Sequence, residues 1–155
     1  MSGFVLTGND TTTLTSASEE RIIVNFAGAE PVVITFENDL ATIETGKNGN
    51  SIIAPNKMGD VATAAISLLI GSLDDKFLQS EVSSYRRDSA AYTLLTGKFI
   101  KRVGDGSGNI SKKVIDLKGG LITKKPEFKE NVQGDAAQGM VIYNIKFSVG
   151  EISDL

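Results

Sequence analysis

The chain has 155 residues, 41% of them hydrophobic and 23% charged, with a formal net charge of −3. This is the balance of an ordinary globular protein, long enough to bury one core, and it argues against a disordered chain. Cys and His are both absent, which excludes disulfides, thiolate nucleophiles, zinc ribbons and Ser-His-Asp triads, and removes the usual base near neutral pH.

The opening MSGFVLTGNDTTTLTS lacks the basic and apolar regions of a secretion signal, so synthesis and residence in the cytoplasm are expected. Residues 1–20 read as an extended or mobile lead, rich in Thr and Ser from Thr11 to Ser18. IIVNF (22–26) and VVITF (32–36) are β-branched runs separated by AGAEP, whose Gly28 and Pro31 mark a turn. LATIET (40–45) alternates, with Ala41 and Ile43 on one face and Thr42 and Glu44 on the other.

TGKNGNSIIAPNKMGD (45–60) follows, a polar stretch around the short apolar patch Ile52-Ile53-Ala54. VATAAISLLI (61–70) alternates again, placing Ala62, Ala64, Ile66, Leu68 and Ile70 together. Then SLDDKFLQSEVSSYRR (72–87) predicts a helix. Ser72 is its cap, Asp74 and Asp75 favour its positive N-terminal end, and Phe77, Leu78, Val82 and Tyr85 form an apolar stripe. Further strands are expected at 91–103 and 109–119 around GDGSG, with GLITKK (120–125) continuing the second. A polar stretch runs from Pro126 to Gly139, and MVIYNIKFSV (140–149) is a final alternating strand. The fold class is mainly β, a sandwich or partial barrel of antiparallel strands with one packed helix, in a single domain spanning 1–155.

GKNGNS has the glycines, lysine and serine of a phosphate cradle. However, Gly46-Lys47 precedes Gly49, no Ser or Thr follows the Lys, and an extended SIIAP follows instead of a helix. A long hairpin arm over 45–60 is the better reading. GDGSGN (104–109) fails as a dinucleotide fingerprint because it leads into a strand. It also lacks the bidentate carboxylate of a calcium loop, and a hairpin turn is expected. Glu19-Glu20 and Asp74-Asp75 are sequence neighbours that point in different directions. The basic stretch containing Phe99 and Phe128 could contact nucleic acid, but it has no recognised RNA-binding motif. No catalytic, cofactor-binding or metal-ligating residue is assigned, and the chain is read as a non-enzyme.

Charge is uneven. Residues 1–60 hold three basic and eight acidic side chains, whereas 98–129 hold nine basic and three acidic. Solvated faces account for this simply, and an acidic surface of one copy meeting a basic surface of the next is the sharper alternative.

Residues 40–79, LATIETGKNGNSIIAPNKMGDVATAAISLLIGSLDDKFLQ, resemble a segment of bacteriophage tail tube proteins. The resemblance rests on a strand ending at Thr45, Gly46 and Gly49, a polar arm through Asn56 to Asp60, a strand ending in Leu68, Leu69 and Ser72, and a helix with Leu78. GMVIYNIKFSVG is similar to the strand with which that family closes its sheet. The resemblance extends over 40–149, and the long lead through residue 38 departs from the compact members.

It implies a subunit that forms hexameric rings with itself, stacked as a tube through which DNA passes without sequence recognition. Sheath or other tail proteins, baseplate and terminator would be its partners. The location would be the virion, assembled in the host cytoplasm, with no membrane association. An inter-ring arm of Lys47, Asn48, Asn50, Ile52, Ile53, Asn56, Lys57 and Met58 is expected. Thr42, Glu44, Thr63 and Ser67 would face the channel, with Ala41, Ile43, Ile66 and Leu68 in the core. Other readings are a baseplate, terminator or capsid-decoration subunit, and a monomeric ligand-binding β-sandwich.

Overall fold

A computed structural model describes residues 5–6, 10–28, 30–128 and 139–154. The lead residues 1–4 and 7–9, and most of the polar stretch before Gly139, lie outside them. The elements are β1 (Val5–Leu6), β2 (Thr11–Thr15), β3 (Glu20–Ile22), β4 (Val32–Phe36), β5 (Ala41–Thr45) and β6 (Ser51–Pro55). A short 3-10 turn (Lys57–Asp60) leads to β7 (Ala62–Leu69), α1 (Leu73–Arg87), β8 (Leu95–Gly104), β9 (Ile110–Ile122), β10 (Glu127–Phe128) and β11 (Met140–Asp154).

The described residues are mainly β, with one α-helix. One antiparallel sheet runs β3-β2-β8-β9-β11-β7-β4, with β1 on β8 and β10 on β11, and it is not closed into a barrel. β5 and β6 pair only with each other.

The spine is β11, which pairs with β7 through Met140–Phe147 and with β9 through Ile145–Asp154. Val141, Tyr143, Ile145 and Phe147 on β11 are fully buried, as are Ala62, Ala64, Ile66 and Leu68 on β7. The alanines of β7 follow from size. Ala62 lies opposite Phe147 and Ala64 opposite Ile145, so small and large side chains interleave at crystal-like density. Phe147 also covers its other neighbours: a Cβ on Gly120 would overlap its ring, and one on Gly97 would come within 3.1 Å of it. Close approach requires glycine at 120 and leaves little room for more at 97. Gly119, at φ 68°, accompanies a register shift between β8 and β9.

The helix forms as its sequence dictates. Ser72 Oγ accepts the Asp75 amide at 3.2 Å, and Phe77, Leu78 and Val82 turn into the core. Tyr143 on β11 donates its hydroxyl to Asp75 Oδ1 at 2.6 Å, fixing the helix start against the sheet. Glu81 is also buried and accepts the Tyr92 hydroxyl at 2.8 Å. Burial, then the Glu81 carboxylate, raises the Tyr92 hydroxyl well above the ordinary phenol range. Burial and Asp75 do the same to Tyr143.

Three expectations are corrected, and a fourth is narrowed. Of the lead expected to be extended or mobile, 11–15 is extended: β2 pairs with β8 and β3, and Thr12 and Leu14 are buried. The run 22–26 is not one strand. It changes partners, pairing with β2 up to Ile22 and then bridging β7 at Phe26–Leu68. Residues 91–94 stand outside β8, whereas the second strand does continue as expected, running unbroken over 110–122. Ala41 and Ile43 are not core: β5 is exposed along its whole length, because its hairpin leaves the main sheet.

Candidate assembly interface

The arm is a built hairpin. Gly46 N–H donates to Asn50 O at 2.8 Å, Gly49 N–H to Gly46 O at 3.0 Å, and Asn50 N–H to Asn48 Oδ1 at 3.1 Å. Gly49, at φ 85°, makes the reversal that other residues resist. Behind the turn, the Thr45 and Ser51 hydroxyls share a hydrogen bond of 2.9 Å. At the root, Asn56 N–H donates to Leu40 O at 2.8 Å, and Asn56 Oδ1 caps the 3-10 turn by accepting the Met58 amide at 3.0 Å. Asn38 Nδ2 ties Met58 O to the main body at 3.1 Å.

Side chains on facing residues of an antiparallel pair share a face. Register therefore puts Ala41 with Pro55 and Ile43 with Ile53 on one side of the arm, and Thr42 with Ala54 and Glu44 with Ile52 on the other. Ile43, Ile52 and Ile53 are 67%, 74% and 68% exposed, and Leu40 and Met58 flank them, also exposed. An isolated two-stranded hairpin is marginal in water. Each isoleucine gains about 1.5–3 kcal/mol once fully covered. The arm therefore has its apolar surface where a partner can reach it.

The expected channel residues are dispersed. Thr42 and Glu44 sit on the arm, and Thr63 sits on β7 beside β4. Thr63 donates its hydroxyl to Glu37, whose carboxylate also pairs with Lys146 at 3.5 Å. The Thr63 hydrogen bond is the main reason the Glu37 carboxyl lies below the usual carboxylate range, with Lys146 assisting against partial desolvation. Ser67 is a correction: it is only 8% exposed. Its amide donates to Pro31 O at 2.8 Å and its carbonyl accepts the Ala27 amide at 3.0 Å, so the incoming chain covers it. Ile66 and Leu68 are core residues.

The basic stretch is organised by the β8–β9 hairpin. Lys101 lies opposite Lys113, and Arg102 opposite Lys112, and like charges in register destabilise a sheet. Lys101 is partly compensated by Asp10, and Lys113 by Asp154, each at 3.4 Å. Of these partners, Asp10 belongs to the acidic segment 1–60, so among the described residues the two segments meet in one ion pair within one chain. At the hairpin end, Asp105 accepts the Ser107 amide at 2.7 Å, the Asn109 amide at 3.2 Å and the Asn109 side chain at 2.9 Å. The Asn109 side chain leads in holding its carboxyl below the usual range. These bonds make it a turn staple. Among the described residues no cluster of three or more acidic ligands could hold a metal.

Beside β4 is a cleft of about 800 Å³ that sequence reasoning missed. Its walls come from β2, β4, β8 and β9, strands far apart in sequence, so no local pattern announces it. Among the described residues no helix is long and apolar enough to cross a membrane. No protein-family model matches the sequence, and no curated protein matches it.

Proposed function

We propose that this chain is a structural subunit that assembles with copies of itself, as a tail tube protein does in the phage family its sequence resembles. Hexameric rings would stack into a tube in the virion tail, conducting DNA and meeting sheath, baseplate and terminator proteins. The observation that carries this reading is the arm: ten strand residues, all exposed, with Ile43 and Ile53 paired across one face and, among the described residues, no strand of the main sheet paired to them. Among the described residues β3 and β4 have unpaired outer edges, which add surfaces suited to joining copies. On this reading Thr42 and Glu44, on the other face of the arm, and Thr63 contribute to a channel wall with little affinity for phosphate.

Electron microscopy and light scattering of the purified chain at high concentration test the proposal, and rings or tubes are expected. A shortened variant supplies the control. Replacing Ala41–Pro55 with two glycines joins Leu40 to Asn56, whose backbones are already bonded. That variant should fold and remain monomeric. A strictly monomeric parent protein, or normal tubes from the shortened one, overturns the reading.

A further inference from the structure

The arm and the cleft lie toward opposite ends of one strand. The arm follows Phe36, at the C-terminal end of β4, while β4 lines the cleft with its first three residues, Val32, Val33 and Ile34. No residue of β5 or β6 lines the cleft. Its apolar floor includes Phe26, Phe99 and Ile115. Alongside runs the outer edge of β4, whose five residues pair, among the described residues, with β7 alone. An open edge beside an apolar groove is what an added strand requires: main-chain bonds give affinity and alternate side chains fill the groove.

We infer that this cleft receives the β5–β6 arm of a second copy, with the Ile43–Ile53 face turned to its floor. The inference rests on the assembly reading above and names the surface that reading leaves open. Strand lengths agree, since β4, β5 and β6 each have five residues. Charge agrees as well. Within the cleft, Lys101 and Lys113 already have Asp10 and Asp154 as partners, whereas Glu30 at its mouth forms no ion pair among the described residues. Lys47, at the turn of the arm, likewise forms none. Docking would bring these two opposite charges together. Because donor and acceptor surfaces differ, the contact is heterologous and each added copy presents a fresh arm and a fresh cleft.

The absence of native cysteine makes the test clean. Val33→Cys beside the cleft and Ile53→Cys on the arm both fall at exposed positions, so neither disturbs the core. The two single variants are mixed at assembling concentration under mild oxidation. A disulfide joining one copy of each should dominate over both same-variant dimers. In addition, Glu30→Lys and Lys47→Glu should each reduce assembly, and the chain carrying both should recover it. Tubes that form without the mixed disulfide overturn this inference and leave the assembly reading standing, as does a predominance of arm-to-arm Ile53→Cys dimers. No oligomer of any kind overturns both.

Discussion

Asp74, at the start of the helix, accepts both the backbone and the side-chain amide of Asn25, at 2.9 Å and 3.0 Å on the same oxygen. The Val24 amide joins them at 2.8 Å, and Arg21 closes the other oxygen. Asp74 is fully buried. This is where the chain leaves β2 and crosses to β7, so the carboxylate satisfies the amides that neither strand can. Burial is the largest influence on its ionisation and acts upward. The Asn25 and Val24 amides, Arg21 and the Asn25 side chain together outweigh it, holding the carboxyl below its ordinary range.

Asp74→Ala should therefore destabilise the fold by about 2–4 kcal/mol, since each buried amide left unpaired costs about 1–3 kcal/mol. Urea unfolding measures it. A loss no larger than that of an exposed helix-start substitution such as Lys76→Ala would show that the clamp contributes little.

Acid should act through the same group. A folded-state pKa below the unfolded one means that the unfolded chain binds more protons between the two values. The stabilisation is complete at neutral pH and is lost progressively as pH falls below about 4, through the folded value. Asp74→Asn should flatten this acid limb in a pH series of denaturation midpoints, and an unchanged slope would assign acid sensitivity to other carboxylates.

Gly120→Ala should cost about 1–3 kcal/mol, the range for overpacking, because the new methyl meets the Phe147 ring. The Leu95 carbonyl, 3.0 Å from that methyl, keeps the backbone from yielding. Phe147→Leu in the same chain should recover part of the loss. Strict additivity in the double-mutant cycle would mean that the ring and the glycine do not interact.

Tyr143→Phe should lose about 1.5–3 kcal/mol, as for a hydrogen bond to a charged group. In a chain that already carries Asp75→Ala, which removes the side-chain acceptor, thermal unfolding should show a smaller loss from Tyr143→Phe than in the native chain.

Ile53→Asp should leave the stability of the monomer within about 0.5 kcal/mol, as exposed substitutions do. It should nevertheless abolish large species in light scattering. Unimpaired assembly would remove the arm from the interface.

Local signals made much of this legible. The helix carries its own cap and stripe within 72–87, and alternation alone sorts β7 and β11 into buried and open faces. The Thr-rich lead held a β signal too, for TTTLT alternates around Leu14. The break in 22–26 was beyond reach, because the carboxylate that causes it belongs to Asp74, in a distant helix. Ser67 failed for the same reason: the segment that covers it, through Ala27 and Pro31, comes from elsewhere in the chain. Ala41 and Ile43 show the converse error. Their alternation reads as a core face, and it marks instead a face left open.

The position of β11 governs when the molecule can exist at all. As the chain emerges from the ribosome, β7 and β9 are made before the strand that joins them, and Ala62 waits for Phe147. Pairings so distant in sequence form slowly. Until they do, β7 offers an apolar face and an unpaired edge to every neighbouring nascent chain. The interval before β11 arrives is therefore when wrong partners compete for that edge.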